Sequence, residues 1–289
     1  MFKKIFLSVC ILIVASGNSF AQTFYKWTEW GVATGASHYF GDLNDNYGFH
    51  HIRPNVGLLA RYHFNHYVAL RFSANFTQVG YSDSYNQNKY QQERNLSFAS
   101  NIFEATVQSE FNFFRFETGN PECRFTPYIT VGIGGFYYNP YTIYNGDKYY
   151  LRPLGTEGQN FGADFAGRKY NSIAMCFPIG AGIKWWIAPG VNMAVEIADR
   201  LTITDYLDDV STTYVGAHKF APDPTALNAA YFIQDPSLQL QPNNALGKEG
   251  KQRGSNATKD QYLMLQLMLS VQLKTYKCPT NQGYWRTQY

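Results

Sequence analysis

Beyond residue 21 the 289-residue chain has no apolar run long enough to cross a bilayer as a helix, which excludes a helical membrane protein. Charge is sparse, at 16% of residues, and a net charge of +3 is too small to argue for nucleic acid or an acidic partner. Cysteine is scarce as well. Cys10, Cys123, Cys176 and Cys278 form no CxxC or Cys/His spacing that would suggest zinc. The signatures GxSxG, HExxH and the P-loop are missing. His38, His50, His51, His63, His66 and His218 show no metal-ligand spacing. No enzyme class and no cofactor is expected from these residues.

Aromatic residues and glycine are plentiful: 23 Tyr, 22 Phe and 24 Gly, at a slightly negative mean hydropathy of −0.32. That balance is unlike a soluble domain, whose apolar content is mainly aliphatic. The N-terminus reads as a signal peptide over residues 1–21. Lys3 and Lys4 supply the positive region, residues 5–15 the apolar core, and Ser19-Phe20-Ala21 a small-x-small cleavage site. Cys10 sits inside that core and leaves with it, so an exported chain keeps an odd number of cysteines.

The clearest pattern lies in Ile173–Ala198. Ile173, Met175, Phe177, Ile179, Ile183, Trp185 and Ile187 share one parity, against Ala174, Cys176, Gly180, Gly182 and Lys184. After an Ala188-Pro189-Gly190 turn, Val191, Met193, Val195 and Ile197 alternate with Asn192, Ala194, Glu196 and Ala198. Period two places the large apolar side chains on one face of a hairpin. The same alternation predicts strands over Glu29–Phe40, Asn55–Phe64, Val68–Val79, Phe98–Phe114, Thr126–Tyr138 and Gln261–Leu273. Asp199 breaks the pattern. It shares the parity of Ile197 and Leu201, so either the strand has reached its rim there or a bulge resets the parity.

Long and shorter connections alternate between the eight strands. That asymmetry predicts an all-β fold: an eight-stranded antiparallel transmembrane β-barrel over residues 22–273, with long extracellular loops and short periplasmic turns. Trp30, Phe40, Tyr62, Phe64, Tyr137 and Trp185 fall where interfacial aromatic girdles are expected. A secreted β-sandwich or lipocalin-like barrel is the soluble alternative. The ionisable residues and glycines of the small face suit a lumen better. That face collects Arg61, Arg71, Lys184 and Arg200 with Glu104, Glu110 and Glu196 as a charge network. Opposite charges in so narrow a lumen predict a salt-bridged plug rather than a pore.

Acidic loop residues offer the one catalytic alternative: Asp42, Asp45, Asp205, Asp208 and Asp209 with a loop histidine. Such clustered aspartates are more commonly turn and cap residues, and residues 42–46 are at best a fragment of a calcium loop. The tail, residues 274–289, continues into the periplasm with Tyr284, Trp285 and Tyr289 as candidate docking anchors. Cys123 and Cys278 fall on the same, oxidising side, which makes a disulfide between them possible; the separation of their strands around the barrel counts against it. Cys176 reads as a small inward-facing residue.

Three segments carry a resemblance: Gly35-Ala-Ser-His-Tyr-Phe-Gly-Asp-Leu43, Phe125-Thr-Pro-Tyr-Ile-Thr-Val-Gly-Ile-Gly134, and Asp205-Tyr-Leu-Asp-Asp-Val-Ser211 after a Glu196-x3-Arg200 strand. Together they resemble the PorG family, outer-membrane β-barrels of the type IX secretion system of Bacteroidota. The resemblance covers nearly the whole mature chain and marks Asp205, Tyr206, Leu207, Asp208 and Asp209 as a family motif loop. It implies a non-enzymatic part of the secretion and gliding apparatus, tying the outer membrane to a periplasmic ring of the PorK lipoprotein and PorN. The competing class is a small barrel whose long outer loops bind or transport a ligand.

Overall fold

The computed structural model describes residues 27–45, 48–221 and 228–273. The signal-peptide segment and the tail, with Cys278, Tyr284, Trp285 and Tyr289, lie outside the described residues. The strands are β1 (Thr28–Phe40), β2 (Arg53–His63), β3 (Val68–Ser82), β4 (Ser97–Asn112), β5 (Phe125–Tyr144), β6 (Asp147–Tyr150), β7 (Ile173–Ala188), β8 (Val191–Thr202) and β9 (Gln261–Leu273). β1 to β5 pair antiparallel in sequence, β5 pairs with β7, β7 with β8, β8 with β9, and β1 with β9 from Thr28↔Leu273 to Phe40↔Gln261. The eight strands therefore close into a barrel, and β6 hangs outside it as a short hairpin partner of β5. Every predicted strand is present. The hairpin to β6 was not predicted, although Asn145 and Gly146 both adopt positive φ in the manner of a type I′ turn.

The burial pattern is inverted relative to a soluble sheet. Along β9 the leucines face out, Leu265 at 48% exposure and Leu267 at 45%, while Tyr262, Met264, Gln266 and Met268 are buried inside. The same holds for Val32, Leu58, Phe72, Phe103, Val131 and Ile179 around the wall. A continuous apolar belt on a closed sheet is the requirement for crossing lipid, where no backbone group can be left to water. The protein is thus an outer-membrane β-barrel. Among the described residues no helix is long and apolar enough to cross a membrane. Glycines on β1 allow its close approach to β9: a Cβ on Gly35 would lie 1.9 Å from the Leu265 carbonyl oxygen.

The connections follow the predicted alternation, with one departure. β2–β3 and β7–β8 turn within residues 64–67 and 189–190. The β4–β5 connection, residues 113–124, is as long as the β1–β2 loop and carries a 3-10 turn at Pro121–Cys123. Of the predicted aromatic girdle, Trp30, Phe64 and Tyr137 are exposed on the wall. Phe40 is not, because Phe49 packs edge-on against it from the β1–β2 loop.

β8 runs without a bulge from Ile197 to Thr202, so Asp199 does point outward, between Ile179 of β7 and Leu263 of β9. Of the two alternatives for Asp199, the parity reset by a bulge does not occur. Its Oδ1 makes no hydrogen bond. A carboxylate there costs more than an apolar side chain on a lipid-facing wall. Asp199→Leu is expected to stabilise the barrel by about 1–2 kcal/mol in guanidinium unfolding from lipid vesicles; an unchanged or lower midpoint would contradict the outward placement.

Candidate functional site

The inward face carries two layers of different chemistry. The lower layer, towards the periplasm, is ionic. Glu29 accepts hydrogen bonds from Arg61 Nη1 (2.6 Å), Asn192 Nδ2 (2.8 Å) and Ser270 Oγ (2.9 Å), and its Oε1 lies 2.8 Å from His63 Nε2. Glu110 lies 2.8 Å from both Arg61 Nε and Lys184 Nζ, and 3.0 Å from Arg71 Nη1. Arg71 grips Glu196 with both terminal nitrogens at 2.7 Å and also donates to Gln108. Higher up, Glu104 accepts from Tyr262 Oη (2.6 Å), Asn75 Nδ2 (2.8 Å) and Arg200 Nε (3.3 Å).

All seven charged residues predicted for the lumen are buried inside it: Arg61, Arg71, Glu110, Lys184 and Glu196 share one network, and Glu104 with Arg200 forms a separate pair above it. Glu29 and His63 belong to the network as well. Both stand on the inward parity of their strands, β1 and β2, which is the signal that the sequence carries for them. With Glu29 the lumen balances four carboxylates, Glu29, Glu104, Glu110 and Glu196, against the cations of Arg61, Arg71, Lys184 and Arg200. Arg61 is 2% exposed, Lys184 0% and Glu196 1%. A water-filled path past these side chains would leave their polar ends accessible, so the lumen is sealed at this level. The floor is closed by Phe116 from the β4–β5 connection, fully buried and 5.6 Å below the Lys184 ammonium.

The upper layer is apolar. Tyr39, Phe98, Ile102, Phe136, Tyr138, Cys176, Tyr262 and Met264 line the barrel mouth, and Leu207 and Val210 insert into it from the loop after β8. That loop is the motif segment Asp205–Ser211. Asp208 holds it in place: Oδ1 accepts from the Val210 amide at 2.9 Å and Oδ2 from Tyr39 Oη at 2.6 Å. Asp260 completes the clamp, accepting from the Leu207 amide (2.9 Å) and Tyr39 Oη (3.0 Å). Asp209 adopts φ +65°, a conformation Asp tolerates better than most residues. Its carboxylate accepts from Thr156 Oγ1 and from Tyr170 Oη (2.5 Å). Tyr206 stacks on Tyr170 at 4.6 Å. Asp205 accepts from Ser211 Oγ at 2.5 Å.

Two buried loop residues tie the cap together. Glu157 accepts from the amides of Ser211 (2.9 Å) and Thr212 (3.1 Å) and from Arg253 Nη1 (3.2 Å). Arg94 forms a bidentate pair with Asp83, both contacts at 2.7 Å. The Glu157 contacts join loops far apart in the chain, so no local spacing announces them, whereas Arg94 and Asp83 close the β3–β4 loop on itself. Asp205, Asp208 and Asp209, considered for catalysis, serve here as turn and clamp acceptors. Among the described residues no group of three or more His, Cys, Asp or Glu side chains is arranged to hold a metal. Cys123 is half-buried in the Pro121–Cys123 turn, and Cys176 is buried within the apolar layer.

Burial pushes the cap carboxyls upward. Asp42 rises to about 7, through desolvation and then the nearby carboxylate of Asp205, against the pull of the Ser255 amide. Asp205 and Asp209 rise to about 6, each mainly by desolvation. Asp208 and Asp260 are raised further, by desolvation and by the carboxylates facing them. A carboxyl with a raised folded-state pKa stabilises most when protonated. The contribution is full below about pH 4 and is lost as pH rises through about 6–7. Amide exchange at Leu207 and Val210, corrected for intrinsic rates, is therefore expected to be slower at pH 4.5 than at pH 7.5. The Asp42→Asn/Asp209→Asn double variant should flatten that difference. In the lumen, Arg71→Met leaves Glu196 without its bidentate partner and should cost about 3–5 kcal/mol in vesicle unfolding. Adding Glu196→Met should recover part of the loss.

Among solved structures the chain is similar to the attachment invasion locus protein Ail of Yersinia pestis, determined in complex with the heparin analogue sucrose octasulfate. Identity is 11%, coverage 86% of this chain and 97% of that one, and the TM-score 0.38. It is also similar to the N-terminal β-barrel domain of Pseudomonas aeruginosa OprF (9% identity, 87% and 100% covered, TM-score 0.36) and to Neisserial surface protein A (10%, 85% and 96%, 0.37). The barrel assignment rests on the β1–β9 closure and the apolar belt rather than on these likenesses. A comparison with curated proteins finds no match. Residues 3–214 match the family model DUF6089, a domain of unknown function, and as that match takes in most of the chain, the protein belongs to the DUF6089 family.

Proposed function

We propose that this barrel is a non-enzymatic component of the type IX protein secretion machinery, anchoring a periplasmic ring of PorK and PorN type to the outer membrane. The observation that carries the reading is the sealed lumen. With an ionic plug below and an apolar cap above, the barrel offers surfaces rather than a path. The motif segment Asp205–Ser211, on which the resemblance to the PorG family partly rests, is the segment that caps the mouth, so the motif has a structural reason to accompany such a barrel. The periplasmic side offers docking surface in the β2–β3 and β4–β5 connections, where Phe64, Tyr67, Phe113 and Phe114 are 44–56% exposed beside Arg115 and Arg124. Exposed aromatic and arginine side chains of this kind are common interface anchors.

A purified barrel in a planar bilayer is expected to show no discrete conductance; stepwise channel openings would overturn the plug. A tagged full-length chain, solubilised from native outer membranes, is expected to co-isolate a ring lipoprotein and its periplasmic partner. Truncation after Leu273 should abolish that association if the tail docks; retention would move docking to the β2–β3 and β4–β5 connections. A barrel isolated free of both ring proteins would sink the secretion reading.

A further inference from the structure

At the outer rim a cleft of about 750 Å³ opens between the ends of β8 and β9 and the loops around residues 42–45, 88–94 and 252–259. That volume is in the range of small-molecule sites. The wall is mostly polar, and its chemistry narrows the ligand. The two arginines on it are paired, Arg94 with Asp83 and Arg253 with Glu157, and only Arg253 Nε is left without a partner. Lys259 lies 3.9 Å from Asp205. Asp42, Asp45 and Asp260 on the same wall offset the three cations, so the cleft presents no excess of either charge. Few apolar side chains line the cleft, so a greasy ligand gains little there.

Two buried polar atoms on the wall lack a partner, Gln91 Oε1 and Arg253 Nε. Gln91 is 6% exposed and lines the cleft; its Nε2 donates to Asp45 Oδ1 at 3.2 Å, and its Oε1 accepts no hydrogen bond. A buried acceptor left in this state calls for a donor from outside the chain. Asp42 stands on the same wall, with Oδ2 accepting from the Ser255 amide at 2.9 Å. Its carboxyl, held at about 7 by burial, meets hydroxyl groups as donor or acceptor near neutral pH. Tyr90 adds a ring that is 44% exposed and whose orientation is set by its Oη donating to the Gln252 carbonyl at 3.1 Å.

We infer that this cleft is a binding site for a neutral saccharide, with Gln91 and Asp42 reading hydroxyls and Tyr90 packing against a sugar face. A hydroxyl supplies a donor to Gln91 and an acceptor to Arg253 Nε, suits Asp42 in either protonation state and carries no charge, and a saccharide presents several of them on one face. The site is independent of the secretion reading, because it lies on the opposite side of the membrane from the proposed ring contacts.

The test is isothermal titration of the full-length barrel in lauryldimethylamine oxide micelles, which avoid glycoside detergents. The probes are chitotriose, cellotriose and mannotriose, with a fully sulfated disaccharide as the anionic comparison. At least one neutral probe is expected to bind with a Kd below about 1 mM. Gln91→Met and Tyr90→Ala should each weaken it at least tenfold. Tyr90 is exposed, so its variant tests the site even if Gln91→Met fails to fold, as read by heat-dependent gel mobility. No binding by any neutral probe, binding that neither variant weakens, or tighter binding of the sulfated sugar would each overturn the inference.

Discussion

The pairing of β1 with β9 is the constraint on which the rest depends. A sheet in lipid cannot leave an edge, because unpaired amides and carbonyls find no water there. Once Thr28–Phe40 is paired along its whole length with Gln261–Leu273, every strand is committed to one inward and one outward face. The glycines of β1, with Leu265 and Ser270 of β9 at close range, are what let the two backbones approach. Closure then turns period two into chemistry: one parity is solvated by lipid and the other must satisfy itself in a space too narrow for bulk water.

The lumen answers that demand in two ways. Below, charges are neutralised pair by pair, and Glu110 shares three cations while Glu196 is held by one guanidinium at two points. Desolvation makes such a network costly to break, though it does not by itself make the barrel more stable than an apolar filling would. Above, the interior changes to aromatic and aliphatic side chains, and a loop enters the mouth to cover them. The cap behaves as a small soluble core set on a membrane barrel, with Leu207 and Val210 buried and the aspartates beside them turned into clamps for backbone amides.

Much of this was legible in the residues. Alternation located all eight barrel strands, since a strand whose two faces meet such different media must alternate strictly. The same alternation placed Arg71, Glu110 and Lys184 inside. It also showed Asp199 to be anomalous, and the uninterrupted β8 register shows that the anomaly is real. What alternation missed was local or unlooked for. The Asn145-Gly146 turn signalled a hairpin inside a loop, and Glu29 stood on the right parity at a strand end. Phe40 kept its parity but lost its exposure to Phe49, a contact between a strand and a loop that no periodicity reports.

The sequence by itself determined the strands, the inside-out distribution of polarity and the stock of opposite charges within the barrel. Those are properties of short windows, and each window carries its own energetic preference. Only the tertiary structure decided which carboxylate meets which cation, that Glu157, Arg94 and Arg253 bind the cap, and that Gln91 and Asp42 share a cleft. These residues lie on loops separated by many positions in the chain. Their juxtaposition follows from barrel closure bringing the strand ends into one ring, and no local pattern of residues encodes a distance across that ring.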